Sequence, residues 1–245
     1  MGKQTKRKRL TRPQFLLAVL IAVGSLIYNY YYGEGTVTLP EQTPVYREQS
    51  VSLEELPAYS GQAYVAINGN QPFFTQADYT TQSYETYSPL DELGRCGVAQ
   101  ANVGKDLMPT EARGSISSVK PSGWQSVKYD FVDGQSLYNR CHLIGYQLTA
   151  ENANRENLIT GTRYLNVTGM LPFENLVADY VQETGNHVLY RVTPMFDETD
   201  LVARGVLMEG WSVEDNGEGV CFNVYCYNVQ PGVVIDYATG DNWAA

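Results

Sequence analysis

Histidine is scarce in this chain: His142 and His187 are the only two in 245 residues. A reaction that needs a base working near neutral pH therefore has few candidates. Positive charge is also short, with 17 Lys and Arg against 27 Asp and Glu and a formal charge of -10. That balance argues at first against a nucleic-acid partner, because phosphate is held by Lys and Arg clustered on one face. The four cysteines contain no Cys-x-x-Cys pair, which leaves a structural zinc site without its usual spacing. Internal repeats and low-complexity tracts are lacking too. With 43% hydrophobic and 18% charged residues, the composition excludes disorder and fits one globular domain with appendages.

The distribution of charge matters more than its sum. Lys3, Lys6, Arg7, Lys8, Arg9 and Arg12 all precede the first apolar run. From Lys105 to Arg163 there are seven basic residues against six acidic, whereas beyond Arg163 only Arg191 and Arg204 face twelve acids. An anion site is expected in the segment 105–163.

The N-terminus has the order of an export element. Basic residues lead into the uncharged run Phe15 to Tyr28, followed by Tyr30, Tyr31 and Tyr32. An uncleaved anchor and a cleaved signal peptide share this beginning. The stretch is a little short of the roughly 20 residues that span a bilayer, yet its tyrosines suit an outer interface and its basic cluster a cytoplasmic end. Ala22-Val23-Gly24 would serve a signal peptidase, but the apolar run continues through Leu26 and Ile27. The anchor is the preferred reading, giving a single-pass membrane protein with an extracellular domain; secretion is the alternative. Residues 33–61, with Pro40, Pro44 and Pro57, read as an extracellular linker, and 62–245 as the folded domain.

Within that domain, Ala63 to Ile67 has strand composition, with a turn at Asn68-Gly69-Asn70. Three more strands are expected over His187–Thr193, Leu201–Trp211 and Val220–Val229, the last two joined through Asp215-Asn216-Gly217. Phe173, Leu176, Val177, Tyr180 and Val181 recur on one helix face, with Pro172 at a first turn and Gly185 just past the end. Strands, a mixed segment with one good helix, then strands again make an α+β fold with an antiparallel sheet.

The chemistry gathers around His142, in Tyr138-Asn139-Arg140-Cys141-His142-Leu143-Ile144-Gly145. Downstream come Asn157-Leu158-Ile159-Thr160, Tyr164-Leu165-Asn166 and Glu174. Together these resemble the DNA/RNA non-specific endonucleases of the ββα-metal, or His-metal finger, type, especially the DNA-entry nucleases of Gram-positive bacteria. The resemblance spans roughly Gln62 to Gly240 and is sharpest from Arg113 to Glu174. The family motif is Asp-Arg-Gly-His, then an Asn before an Ile-rich turn, an Asn on the core helix and a Glu two turns on. Arg140, His142, Asn157, Asn166 and Glu174 stand at those positions. The resemblance implies a ββα-metal core, cleavage of DNA or RNA to products with 5′ phosphates, and a substrate-binding arginine upstream, for which Arg113 is the best match.

Phosphodiester hydrolysis needs an activated water, neutralised phosphoryl charge and a stabilised leaving oxygen. An imidazole with a pKa of about 6.5 suits the general base, the role expected of His142. Asn166 supplies a hard oxygen to magnesium, with manganese able to replace it, while water and substrate phosphate fill the other positions. Glu174 is expected to hold the ion's hydration water, although Gly169 and Pro172 predict a kink between it and Asn166. Asn157 and Arg140 complete the expected catalytic set. Arg113 and Arg163 suit bidentate contacts to phosphate, with Lys120 a weaker candidate.

Two positions depart from the family motif. Asn139 replaces Asp and removes a charge, and Cys141 replaces Gly, which would cost on the order of 1 kcal/mol or more if a positive φ were required there. These departures favour the competing reading, a surface nucleic-acid-binding or uptake module that kept the fold and lost the chemistry. An exported chain permits disulfides. If Val220–Val229 is one strand, Cys221 and Cys226 lie on opposite faces about 16 Å apart and do not pair with each other. Bridges to Cys96 or Cys141 and free buried thiols remain equal alternatives. The expected partners are DNA, RNA as a second nucleic acid, and the membrane; no protein partner is inferable.

Overall fold

Long-range strand pairing organises the molecule. The computed structural model describes residues 51–245, so the expected anchor and the linker up to residue 50 lie outside the described residues. Six strands build one sheet: β1 (Tyr64–Ala66), β2 (Tyr84–Tyr87), β3 (Ala99–Val103), β6 (Val188–Met195), β7 (Gly205–Ser212) and β8 (Cys221–Tyr227). Their order is β1-β8-β7-β6-β3-β2, and every neighbouring pair is antiparallel. A hairpin of β4 (Tyr138–His142) and β5 (Leu158–Thr162) stands apart, as does a small one of β9 (Val233–Ile235) and β10 (Asn242–Ala244). Two α-helices complete the set among the described residues, the short α1 (Tyr146–Thr149) and the longer α2 (Leu171–Thr184).

Both faces of the central strands are covered, and the two-residue side-chain period sorts them. Val206 and Met208 of β7 and Phe222, Val224 and Cys226 of β8 join one core with Val177, Ala178 and Val181 of α2. Leu207, Tyr225 and Tyr227 point the other way and pack with Val51, Leu53 and Leu56. The Tyr227 hydroxyl donates to the Pro57 carbonyl at 2.7 Å. Residues from Val51 to Pro57, expected as linker, are therefore part of the folded body. Apolar side chains spaced through 51–56 find a second sheet face to cover, which composition alone does not reveal.

Glu209 is buried on that outer face, where an unpaired carboxylate would be very costly. Arg191 meets it with two hydrogen bonds of 2.6 and 2.9 Å, and the Phe73 amide donates to it at 2.7 Å.

The β4–β5 hairpin and α2 pack on the inner face of the sheet, and one buried asparagine bolts them down. Asn228 donates to the carbonyls of Thr160 and Ala203 at 3.1 and 2.9 Å and accepts from the Thr162 amide at 2.8 Å. Thr162 then accepts the Leu165 amide at 2.9 Å, starting the helical segment. That segment opens as a π-helical turn, Leu165–Met170, and runs directly into α2. The expected interruption near Gly169 and Pro172 takes this form, because bonding from residue i to i+5 absorbs a proline that has no N–H to donate. α2 ends at Gly185 in the left-handed conformation, as its position predicted.

All four cysteines are free thiols. Cys141 lies within β4 without a positive φ, so it carries no backbone strain.

Candidate active site

The hairpin and the helical segment make a ββα unit with His142 at the end of β4, opposite Leu158. The imidazole is 6% exposed, and both nitrogens are engaged. Nε2 lies 2.7 Å from the carbonyl oxygen of Asn152. A carbonyl only accepts, so Nε2 carries the proton and Nδ1 keeps the basic lone pair. The Arg113 guanidinium, which only donates, stands 3.1 Å from Nδ1 and agrees with that tautomer. Burial pushes the pKa of His142 down to about 4, and the Arg113 charge adds to the shift, against the opposing bond from Asn152. The base is thus neutral well below pH 7.

Asn157 shapes this corner from inside the fold. Fully buried, it accepts the Ile144 amide at 2.8 Å and donates to the Ile144 carbonyl at 3.0 Å. Its own carbonyl accepts the Leu143 amide at 2.9 Å. The chain leaving His142 is clamped to the entry of β5, and no polar atom of Asn157 is left over to meet a substrate. Asn157, expected in the catalytic set, thus stands beside His142 as a scaffold and outside the cavity lining.

Asn166 and Glu174 face a common cavity of 570 Å³ with Arg113, Arg140, His142 and Arg163. An unbroken α-helix would leave residues eight apart about 80° out of register. The wider π turn between them accumulates less rotation per residue, which brings both side chains to one opening. Asn166 Oδ1 accepts from the Cys141 thiol at 3.0 Å. The Glu174 carboxylate rests on Gly145, where an added Cβ would lie 2.7 Å from its oxygen. Burial pushes the pKa of Glu174 up to about 7, while Arg113 pulls it back.

The arginines differ in what they leave free. Arg113 is exposed on a loop and reaches His142 through one nitrogen. Arg163 is tied to Asp133 at 2.8 Å on one side and keeps its place at the cavity. Arg140 stacks 4.0 Å above the Trp124 ring and donates to the carbonyls of Val119 and Ser117. Its guanidinium organises the 117–124 loop at the cavity wall. Lys120, expected as a weaker phosphate contact, is exposed and stands outside the cavity lining.

Two contributors have no counterpart in the sequence pattern, the Asn152 carbonyl and the Trp124 ring, while the Asn139 amide, expected only as a lost charge, sets its Oδ1 3.5 Å from both Asn166 Nδ2 and Arg163 Nη1. A backbone carbonyl has no residue signature. Trp124 sits 16 positions from Arg140, too far for any local pattern.

No three His, Cys, Asp or Glu side chains converge among the described residues. The oxygens that do meet in the cavity, an amide carbonyl and a carboxylate, fit a hard divalent cation whose other positions go to water and phosphate.

A buried imidazole whose Nδ1 lone pair faces Arg113, a hard oxygen across the cavity and arginines around it define a metal-dependent nuclease. Residues 75–213 match the sequence model of the DNA/RNA non-specific endonucleases, and the chain belongs to that family. Its fold is similar to the crystal structure of NucA from Streptococcus agalactiae with magnesium bound, at 26% identity and a TM-score of 0.69, covering 79% of this chain and 92% of that one. The metal-free NucA structure matches over the same shares with a TM-score of 0.68. The Sda1 nuclease with bound zinc shares the fold at 24% identity, with a TM-score of 0.61 over 75% of this chain and 97% of that one. The chain is an endonuclease. Asn139 and Cys141, which favoured a module without chemistry, both turn towards Asn166 and leave His142 in place.

Proposed function

We propose that this protein is a magnesium-dependent endonuclease that cuts DNA, and RNA as a second substrate, outside the cell with little regard to sequence. The observation that carries this reading is the pair His142 and Asn166. One presents a neutral base with its tautomer set by Asn152, the other a hard oxygen in the same cavity.

His142 takes a proton from the attacking water through Nδ1, and the Nε2–H bond to Asn152 steadies the imidazolium that forms. Arg113 and Arg163 bind phosphoryl oxygens and orient the backbone for attack. Asn166 would hold the divalent ion and Glu174 its hydration water, and the ion when bound would neutralise phosphate charge and stabilise the leaving oxygen. Arg140 and Asn157 keep the loops that carry these groups in place. Contacts to phosphate rather than base edges give low sequence specificity.

The basic and apolar residues of 1–32 support an outward-facing domain held at the cell membrane, with release as a soluble product as the alternative. A degradation assay on plasmid DNA and on RNA, with magnesium and with chelator, tests the activity. Cleavage that survives chelation would sink the metal requirement. Fractionation of the full chain tests the anchor, since a soluble product beginning near Ser25 would reveal a cleaved signal.

A further inference from the structure

An asparagine amide has two ends of nearly equal size, and only the carbonyl end binds a cation. Something must choose which end Asn166 shows to the cavity. On one side, Asp133 holds Arg163, whose Nη1 lies 3.5 Å from Asn139. A guanidinium only donates, so the Asn139 atom there is Oδ1, and it faces Asn166 Nδ2 at another 3.5 Å. These contacts are long and individually weak. The close contact is on the other side, where the thiol of Cys141 lies 3.0 Å from Asn166 Oδ1.

Cys141 is fully buried, so water does not compete for its proton. Its other neighbour is the Met170 sulfur at 3.6 Å, a weaker acceptor than an amide oxygen. The side chain fits because Gly161 lies across the hairpin, where any Cβ would come within 2.7 Å of the Cys141 Cβ. A flipped Asn166 would exchange the S–H···O bond for a weaker contact of its NH₂ with the sulfur, the thiol proton turning to Met170, and would set its oxygen against Asn139 Oδ1.

We propose that Cys141 is a positioning residue for the metal site: its thiol, opposed by Asn139, holds Asn166 so that Oδ1 faces the cation. The proposal rests on the reading of Asn166 as the metal ligand. It also accounts for the two departures from the family motif together. An Asp at position 139 would only accept, and so would orient the amide by itself; an Asn there accepts with one end alone, and the thiol makes up the difference.

The test is manganese binding to the substrate-free full chain, followed by electron paramagnetic resonance. Removing one hydrogen bond of ordinary net strength corresponds to about a fivefold change in affinity. Cys141→Ala and Cys141→Val, the second keeping the volume without the donor, should each weaken manganese binding by about that factor. Cys141→Ser, which keeps a donor, should stay within about twofold of native. In an Asn139→Asp background the effect of Cys141→Ala should disappear, a coupling that a purely structural cysteine would not show. Native affinity in the folded Ala or Val variant, or a Ser variant as weak as Val, overturns the proposal. Asn166→Ala separates the two levels: native-like manganese binding there would remove the ligand assignment itself, whereas weakened binding leaves only the role of Cys141 in question.

Discussion

Arg113 and His142 stand 3.1 Å apart, with the guanidinium donating to the same Nδ1 lone pair that the proposed mechanism uses to take a proton from water. In the free protein the base is therefore covered by the cation that also suits a phosphate. Arg113 sits on an exposed loop and is long enough to exchange one acceptor for another. Substrate phosphate, with more negative charge than a neutral imidazole, is expected to draw it away and open Nδ1.

Arg113→Ala should raise the pKa of His142, because a positive neighbour disfavours the protonated ring, while burial still keeps it below about 6.5. Cleavage should nonetheless fall, through weaker phosphate binding. Imidazole resonances followed by NMR across pH, together with kcat/KM, check both parts. An unchanged titration would mean that the guanidinium does not act on the ring.

His142→Ala should lower the cleavage rate by roughly 10² to 10⁴, the range for a lost general base, with nucleic-acid binding retained. Single-turnover cleavage beside a binding isotherm measures the two separately. Near-normal turnover would refute the assignment.

The pH profile should differ from that of an ordinary histidine. With a pKa of about 4, His142 is already neutral near pH 5.5, so at saturating magnesium the rate should not rise through 6 to 7 on its account. Glu174, raised to about 7, should instead make magnesium affinity improve as pH rises through that value. Glu174→Gln should abolish this dependence. An inflection near 6.5 in the saturated rate that survives in Glu174→Gln would contradict the depressed pKa of His142, and a magnesium affinity that still improves through pH 7 in that variant would contradict the part given to Glu174.

The same two groups oppose each other in the stability of the metal-free protein. His142 falls from 6.5 to about 4 on folding, so its contribution is present above 6.5 and is lost as pH drops through 4. Glu174 rises from 4.5 to about 7, so its contribution is present below 4.5 and is lost as pH climbs through 7. Between about 4.5 and 6.5 the two slopes offset each other. Relative to native protein in chelator, the melting temperature of Glu174→Gln should climb with pH across this window, and that of His142→Ala should decline. Parallel curves for all three proteins would show that neither pKa is displaced.

Asn157→Ala should destabilise the fold by roughly 2 to 4 kcal/mol, because it strips hydrogen bonds from the buried N–H and C=O of Ile144. Denaturant unfolding measures it. Activity should fall through a displaced His142, so phosphate-analogue binding at Arg113 and Arg163 should suffer less than turnover. A fully stable variant would mean that water replaces the amide without cost.

Much of this site could be read along the chain because its parts lie close together in sequence. His142, Asn157, Asn166 and Glu174 fall within 33 residues, and each chemistry uses a side chain that few others supply. Asn157 was legible in position but not in role, since whether an amide faces a cavity or the backbone of Ile144 depends on the packing around it. Lys120 and Arg163 were both expected at phosphate, the lysine as the weaker candidate; Asp133 and the turn preceding β4 bring Arg163 to the cavity. The π turn left its trace only as an expected break at Gly169 and Pro172.

By itself, the order of residues determined the period-two strands, the apolar face of α2, the gathering of basic charge before Arg163 and the place of His142 beside Arg140 in the motif. Those properties follow from local geometry and side-chain chemistry, which travel with the sequence. Only the tertiary structure decided that the base would be neutral at low pH, that its proton would sit on Nε2 and that Arg113 would cover Nδ1. It also decided that Asn166 and Glu174 would share an opening. Each of these depends on burial and on partners distant in the chain, the Asn152 carbonyl, the Arg113 guanidinium and the sheet beneath α2, because electrostatics and desolvation are set by what surrounds a group in space.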